Sequence, residues 1–145
     1  MNFTIRIVAN DVEREDAFSV RRKVFVEEQR VPHHLELDEY DDLAIHFVVY
    51  SDQTPIGAGR LRETSNGIGK VERVCILKEF RGNRLGNLVM DALEKHAKMS
   101  NYEKIVLNAQ VSAIPFYEKL GYTITSPEFM DADIPHRAME KKLTD

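Results

Sequence analysis

The segment that most constrains the fold is a strand-like run that passes through a short loop directly into a long amphipathic helix. Residues 71–76 are dominated by Val, Cys and Ile, and a loop containing arginine and glycine follows them. Apolar residues then recur on one helical face: Leu85, Leu88, Val89, Ala92 and Leu93. Such a helix buries its apolar face against a sheet, which predicts layered α and β structure.

The rest of the chain extends this pattern into the order β-α-β-β-β-α-β-α-β-β. Alternating apolar and polar residues at the N-terminus indicate a half-buried strand, and Val31-Pro32 ends the helix that follows it. Further strands are predicted at residues 44–50, 56–61, 70–76, 104–107, 122–125 and 137–143, and a short helix between residues 112 and 121. The order predicts an α+β or α/β fold with a mixed sheet.

Length and charge restrict the class of protein. The chain has 145 residues without a shift in composition, which predicts a single domain over residues 1–145. Twenty Lys and Arg against 24 Asp and Glu give a net charge of −4, which argues against a nucleic-acid partner. The longest uncharged stretch, residues 105–117, is too short and too polar for a membrane span. We therefore expect a soluble, cytoplasmic protein without a membrane partner.

The loop before the central helix has the features of an anion site. Free N–H groups and the dipole at a helix N-terminus favour a negative charge. Gly82 and Gly86 allow close approach of backbone to a ligand, and Arg81 and Arg84 offer charged donors to phosphate oxygens. The spacing fits neither a P-loop nor a dinucleotide fingerprint. The loop thus predicts a phosphate or pyrophosphate site, with a plain strand-to-helix turn as the alternative.

The loop and three other segments together carry a family signature. Arg81 and Gly86 fit the pattern Arg/Gln-x-x-Gly-x-Gly/Ala, although Arg84 stands where the pattern prefers glycine. Residues 107–122, 22–29 and 134–136 supply the other matching segments. The chain resembles the GNAT superfamily of acetyl-CoA-dependent N-acetyltransferases. This implies a mixed, mostly antiparallel sheet of six to seven strands, three to four flanking helices, and splayed central strands that form the cofactor cleft.

The resemblance implies acetyl-CoA as co-substrate. In the family, pantetheine lies between the two splayed strands and the pyrophosphate lies within the loop. The residues at the corresponding positions are Val74, Cys75 and Ile76 on the first strand, Arg81, Gly82, Asn83, Arg84, Leu85 and Gly86 in the loop, and Asn108, Phe116 and Lys119 across the cleft. The strand is expected to bind through its backbone, and simple core packing is the alternative for the side chains of Val74 and Ile76.

The resemblance also implies direct acetyl transfer to an amine. Tyr117 matches the family's tyrosine that protonates the leaving thiolate. A phenol with a pKa of ~10 can donate to a thiolate whose conjugate acid has a pKa of ~8.5. Packing in the core is the alternative for Tyr117.

The incoming amine needs a base, because an alkylammonium with a pKa of ~10.4 has no free lone pair. Glu72 on the cofactor strand is the first candidate, acting through water, and His136 is the second. The alternatives are a solvent-facing Glu72 paired with Arg73, and a turn position for His136. Gln110 either lines the acceptor pocket or serves as a cap.

Other reactive side chains are expected to have no catalytic part. Cys75 in mid-strand is interpreted as a small buried hydrophobe, and the pair His33-His34 lacks the further ligands of a metal site. No metal is predicted. The acidic connector at residues 36–42 predicts a solvated loop, with a rim that attracts a cationic amine as the alternative.

The predicted function is transfer of an acetyl group from acetyl-CoA to a primary amine, on a small molecule or a protein. A homodimer is common in the family, and nothing in this sequence decides it. One rival interpretation is a non-catalytic module that binds or senses acyl-CoA. The other is a nucleotide-phosphate binder.

Overall fold

Eight strands form one sheet in the computed structural model, which describes residues 2–143. The strands are β1 (Phe3–Ile7), β2 (Ile45–Ser51), β3 (Thr54–Ser65), β4 (Ile68–Ile76), β5 (Lys104–Gln110), β6 (Thr123–Ile124), β7 (Phe129–Asp131) and β8 (Ile134–Lys142). Their order across the sheet is β1-β2-β3-β4-β5-β8-β6, with β7 paired to β8. Neighbouring strands are antiparallel except β4 and β5, which run parallel.

Helices cover both faces of this sheet. They are α1 (Asp11–Arg21), α2 (His33–Glu36), α3 (Leu85–Met99) and α4 (Ile114–Lys119). The expected mixed, mostly antiparallel sheet with flanking helices is confirmed. The strand that the sequence pattern missed is β7, because three residues are too few to show an apolar period.

Two adjacent residues of β3 show how α1 and α3 lie on opposite faces. A Cβ atom at Gly59 would lie 2.9 Å from Cγ1 of Val89, so glycine allows α3 to pack directly on the strand. Arg60 points the other way and shares Asp41 as a hydrogen-bond acceptor with Arg21, the last residue of α1. The apolar side of α3 is buried against the sheet through Leu85, Val89, Met90, Leu93 and Ala97.

The first helix differs from the continuous helix expected up to residue 31. Asn10 caps it by accepting a hydrogen bond from the N–H of Glu13 at 2.8 Å. After Arg21 the helix widens into a π-helical segment at Arg22–Glu28. Such segments are rare and concentrate at functional sites. Here the segment brings Glu28 and Gln29 to the edge of the cleft described below.

The expectation of a solvated acidic connector is wrong for Glu36 and Asp41. Both are buried and accept hydrogen bonds from the guanidinium group of Arg21. Asp41 also accepts a hydrogen bond from Arg60 at 2.8 Å, and Arg60 donates to both oxygens of Asp38. Buried charges are tolerated when they are paired. We refer to Arg21, Glu36, Asp38, Asp41 and Arg60 as the charge cluster.

Candidate active site

The site is a cleft that opens where β4 and β5 part. Parallel pairing between them ends at Val71 and Leu107, although β4 continues to Ile76 and β5 to Gln110. A bulge helps to turn β4 away, because the β3–β4 register shifts between Ala58 and Arg60 and the opposing Arg73 has a φ of +58°. The cleft encloses a cavity of about 880 Å³. The splay expected between these strands is therefore present.

The exposed edge of β4 directs main-chain groups toward this cavity. The N–H of Leu77 donates to the carbonyl of Ile56 on β3 at 2.8 Å. Since successive residues of a strand direct their main-chain groups to opposite edges, those of Val74 and Ile76 face the cleft. This edge can add a further extended chain as if it were another strand.

Cys75 lies between these two residues and is buried. Burial raises the pKa of its thiol to about 12, so Cys75 carries a proton at neutral pH. The arrangement gives Cys75 no activation as a nucleophile.

The loop that precedes α3 contains two residues with left-handed backbone. Gly82 has a φ of +90°, and no atom lies within 4 Å of the position that a Cβ would take. Arg84, the N-cap of α3, has φ +58° and ψ +28°, the conformation that glycine would adopt more readily. The N–H groups of the first turn of α3 have no partners inside the helix. Arg84 therefore adopts the left-handed backbone conformation that glycine favours, although the preferred glycine is absent.

The guanidinium group of Arg81 is held by hydrogen bonds within the protein and does not extend freely into the cleft. Its two terminal nitrogens donate to the carboxylate of Glu28, each at 2.7 Å, and its Nε donates to the carbonyl of Ile76 at 2.9 Å. The hydrogen bond from Arg81 lowers the pKa of the Glu28 carboxyl. The pair joins the π-helical segment to the loop across the end of β4.

The remaining residues predicted to contact the cofactor are not all at the cavity. Asn108 and Phe116 line it, and a Cβ at Gly86 would lie 3.0 Å from Cζ of Phe116. Asn83 donates its side chain to the carbonyl of Phe80, at 2.8 Å. Leu85 is buried in the core, and Lys119 is exposed outside the lining of the cavity.

Tyr117 lines the cavity on the opposite wall from β4. Its ring makes edge-on contacts with Phe116 and Tyr122, with centroid distances of 5.0 and 5.8 Å. Burial, together with the nearby Cys75, raises the pKa of the Tyr117 phenol to about 12. The hydroxyl therefore keeps its proton at neutral pH and can only act as a proton donor.

Glu72 faces the cavity from β4 but is held by three cations. It accepts hydrogen bonds from Arg62 at 2.6 Å and from Arg60 at 3.0 Å, and Nζ of Lys70 lies 3.7 Å away. Burial alone would raise the pKa of Glu72, but these partners outweigh it and lower the pKa. The expected partner, Arg73, instead donates to the carbonyl of Glu36 and to Asp38. A carboxylate stabilised in this way is a weak base.

His136 reaches the cavity from β8, opposite Gln110 of β5 in the strand register. Its Nδ1 lies 2.7 Å from the carbonyl oxygen of Ile134. A carbonyl only accepts, so Nδ1 carries the proton and the neutral ring has its lone pair on Nε2. Phe129 of β7 stacks on the ring at a centroid distance of 6.0 Å. His136 is thus a preformed proton acceptor.

The polar cavity residues that were not identified from the sequence include Gln29, Arg62 and Lys70. Gln110 donates to the side chain of Gln29 at 2.8 Å, which favours the pocket rather than the capping interpretation of Gln110. A signal existed for the other two, because Arg60 and Arg62 share one face of β3 as Lys70 and Glu72 share one face of β4.

Neither a metal-binding cluster nor a membrane-spanning helix is present among residues 2–143. In residues 2–143, no cluster of three or more His, Cys, Asp or Glu side chains could hold a metal ion. No helix of that same range is long and apolar enough to cross a membrane.

Comparison with known proteins identifies the family to which this cleft belongs. The family described as "Acetyltransferase (GNAT) domain" matches residues 8–143. The chain is 47% identical over 136 residues to the uncharacterized N-acetyltransferase YjcF of Bacillus subtilis, covering 93% of this chain and 96% of that protein. A solved Lactobacillus plantarum structure superposes with a TM-score of 0.92 at 28% identity, covering 99% and 100% of the two chains.

A more distant structure shows the same fold with a ligand. An aminoglycoside 6′-N-acetyltransferase complexed with coenzyme A superposes with a TM-score of 0.78 at 17% identity, covering 100% of this chain and 98% of that one. The extent of the family match and the identity to YjcF leave one conclusion: the chain belongs to the GNAT family of N-acetyltransferases.

Proposed function

We propose that the protein transfers the acetyl group of acetyl-CoA to a primary amine, with Tyr117 as the general acid. The observation that supports this proposal is that the exposed edge of β4 and Tyr117 line the same cavity from opposite sides. A nucleophile and a thioester held in one cleft gain effective concentrations of ~10⁵ M or more.

The cofactor end of the cavity, by which we mean the β4 edge at residues 74–76 and the loop at residues 81–86, fits coenzyme A. Main-chain groups of Val74 and Ile76 suit the amides of pantetheine, and the α3 N-terminus suits a pyrophosphate. The distant aminoglycoside acetyltransferase, which has this fold, is complexed with coenzyme A. Bound there, acetyl-CoA would supply a thioester carbonyl that the N–H groups along the β4 edge are positioned to polarise.

Tyr117 is matched to protonation of a thiolate in this environment. Cys75 indicates how this environment affects the pKa of a thiol, because burial raises the pKa of the Cys75 thiol to about 12. The pKa of the Tyr117 phenol is also raised to about 12. A thiolate leaving in the same dry region has a similarly raised proton affinity, so transfer from the phenol is close to neutral in free energy.

His136 supports the role of base better than Glu72 does. Its Nε2 has a free lone pair, whereas the Glu72 carboxylate is occupied by Arg60, Arg62 and Lys70. In the balanced reaction, His136 accepts the ammonium proton, the new C–N bond forms, the C–S bond breaks, and the thiolate takes the Tyr117 proton. The acylated nitrogen then loses its second proton, which converts the Tyr117 phenolate back to the phenol, and the imidazolium gives the first proton to water.

Replacement of Tyr117 by Phe tests the proposal. We expect kcat to fall about 10²-fold or more, because a general acid contributes that much, while the Kd for acetyl-CoA changes less than about twofold. Tyr102→Phe is the matched control, because Tyr102 packs on Gly69 outside the lining of the cavity. Unchanged turnover in Tyr117→Phe would remove Tyr117 from the mechanism.

The same measurements separate an enzyme from a module that only binds acyl-CoA. Wild-type protein that binds acetyl-CoA but releases no CoA with any amine of a broad library would contradict the proposed transfer. The homodimer, the cytoplasmic location and the choice between small-molecule and protein amines stay predictions.

A further inference from the structure

Three cations converge on the part of the cavity that lies away from the cofactor end. Arg62 and Lys70 are directly opposed in the register of β3 and β4, so their side chains share a face of the sheet. Arg73 reaches the same region from the bulge of β4. We call these three residues the cation triad.

The cation triad has N–H donors that form no hydrogen bond within residues 2–143. Arg62 donates through Nε and Nη2 to Glu72, and Arg73 donates through Nε and Nη2 to the connector. Among residues 2–143, neither Arg62 nor Arg73 forms a hydrogen bond through Nη1. In the part of the chain that the structure describes, Glu72 is the one carboxylate within 4 Å of Nζ of Lys70, and its distance of 3.7 Å is too long for a hydrogen bond. Unlike the buried arginines of the charge cluster, all three side chains retain solvent exposure, at 15–24%.

The anions nearby do not neutralise this triad. Glu72 divides its charge among Arg60, Arg62 and Lys70, and Asp38 divides its charge between Arg60 and Arg73. Glu36 is paired to Arg21 inside the charge cluster, and its Oε1 also lies 3.9 Å from Nε of Arg73. The remaining carboxylate, Asp131, lies on β7, on the opposite rim of the cavity near His136.

The triad is also held in place before any ligand arrives. The Arg62 guanidinium stacks on the Tyr40 ring, 3.8 Å from its centroid. Arg73 is fixed by the carbonyls of Leu35 and Glu36. Preorganised guanidinium groups with free N–H donors are suited to an oxyanion.

We propose that the acceptor amine carries an oxyanion, a carboxylate or a phosphate, that binds the cation triad. This inference rests on the proposed function and specifies its second substrate. The oxyanion lies against Arg62, Lys70 and Arg73, while Asp131 and His136 on the opposite rim favour the ammonium end. The binding of the anion therefore orients the amine toward the cofactor end.

Matched pairs of small amines test this inference with the intact enzyme and acetyl-CoA. β-Alanine is compared with propylamine, γ-aminobutyrate with butylamine, and phosphoethanolamine with ethylamine. We expect kcat/KM to be at least about tenfold higher for the anionic member of the preferred pair, as for one charge-assisted contact. Preference within the carboxylate pairs or the phosphate pair identifies the oxyanion.

Lys70→Gln shows whether the preference comes from the triad. We expect this variant to raise KM for the preferred anionic amine about tenfold with little change in kcat, and to raise KM for the neutral partner much less. Lys104→Gln is the matched control, because Lys104 pairs with Glu140 outside the lining of the cavity. A merely structural role of Lys70 would lower the rates with both amines together.

The outcomes distinguish this inference from the function on which it rests. Acetylation of the neutral amines at equal or higher kcat/KM overturns the oxyanion inference and leaves the acetyltransferase intact. Equal losses for both members of a pair in Lys70→Gln overturn it as well. Absence of acetylation with every amine in a broad library overturns the proposed function, and the inference falls with it.

Discussion

The two ends of the cavity are lined by different kinds of chemical group. The cofactor end consists mainly of main-chain groups: the free edge of β4, the left-handed positions at Gly82 and Arg84, and the first turn of α3. The other end, where we propose that the amine binds and which we call the acceptor end, consists of charged side chains, the cation triad and Glu72, backed by the charge cluster. One end is specified by backbone shape and the other by a balance of charges.

This difference indicates how each end changes with sequence. Backbone shape tolerates most side-chain replacements, as Arg84 demonstrates by adopting the conformation of glycine. The charge balance depends on every partner, because removal of one leaves another charge unpaired. We therefore expect substitutions at the acceptor end to affect stability and specificity together, and those at the cofactor end to affect mainly coenzyme affinity, with small changes in stability.

The largest effect should come from breaking the charge cluster. Arg60 is fully buried and pairs with Asp38, Asp41 and Glu72, so Arg60→Met deprives three carboxylates of one of their cations. We expect the free energy of unfolding to fall by about 3–5 kcal/mol. Urea denaturation at neutral pH measures it. Arg22→Met, which removes a surface pair with Glu15, is the control and should lower it by less than about 1 kcal/mol.

The charge cluster also predicts how the free energy of unfolding changes at acidic pH. Burial alone would raise the pKa of Asp41, but Arg21 and Arg60 outweigh it and hold the pKa well below its usual range. A lowered pKa contributes stability that is present above the unfolded value of ~3.9 and is lost as pH falls through the folded value. Wild type should thus lose stability steeply below about pH 4, and Arg60→Met less so. Parallel acid profiles would contradict this account.

The contrast between the two ends also explains what could be predicted from the sequence. Glycines, prolines and apolar periods report backbone shape, so most helices and strands along the chain and the loop before α3 were anticipated, whereas the β4 edge was expected from the family resemblance. The π-helical segment has no comparable sequence signal. It places Glu28 in contact with Arg81, which was expected to bind phosphate. Likewise, the connector carboxylates pair with arginines 19 to 22 residues away, and local patterns do not register contacts of that range.

A smaller effect is expected at the cofactor end, where Gly82→Ala tests backbone shape without any steric contact. Gly82 has a φ of +90° and open space around its Cβ position, so alanine only strains the loop. We expect the Kd for CoA, measured by calorimetry, to rise about tenfold, equivalent to about 1.4 kcal/mol. Gly67→Ala, at a φ of +81° in the turn between β3 and β4, imposes similar strain away from the cavity. If both variants weakened CoA binding equally, the loop would have no special role.

The smallest effect is expected from relief of strain at Arg84. The left-handed conformation at φ +58° costs a residue other than glycine about 1 kcal/mol, part of which glycine returns through its greater freedom in the unfolded chain. We expect Arg84→Gly to raise the free energy of unfolding by about 0.5 kcal/mol. Arg84→Ala keeps the strained backbone and loses the same charge, so it should give no gain. Comparable CoA affinity in the two variants would mean that only the charge of Arg84 matters to the ligand. Tighter binding by the glycine variant would show that strain at this position limits the fit of the loop around the pyrophosphate.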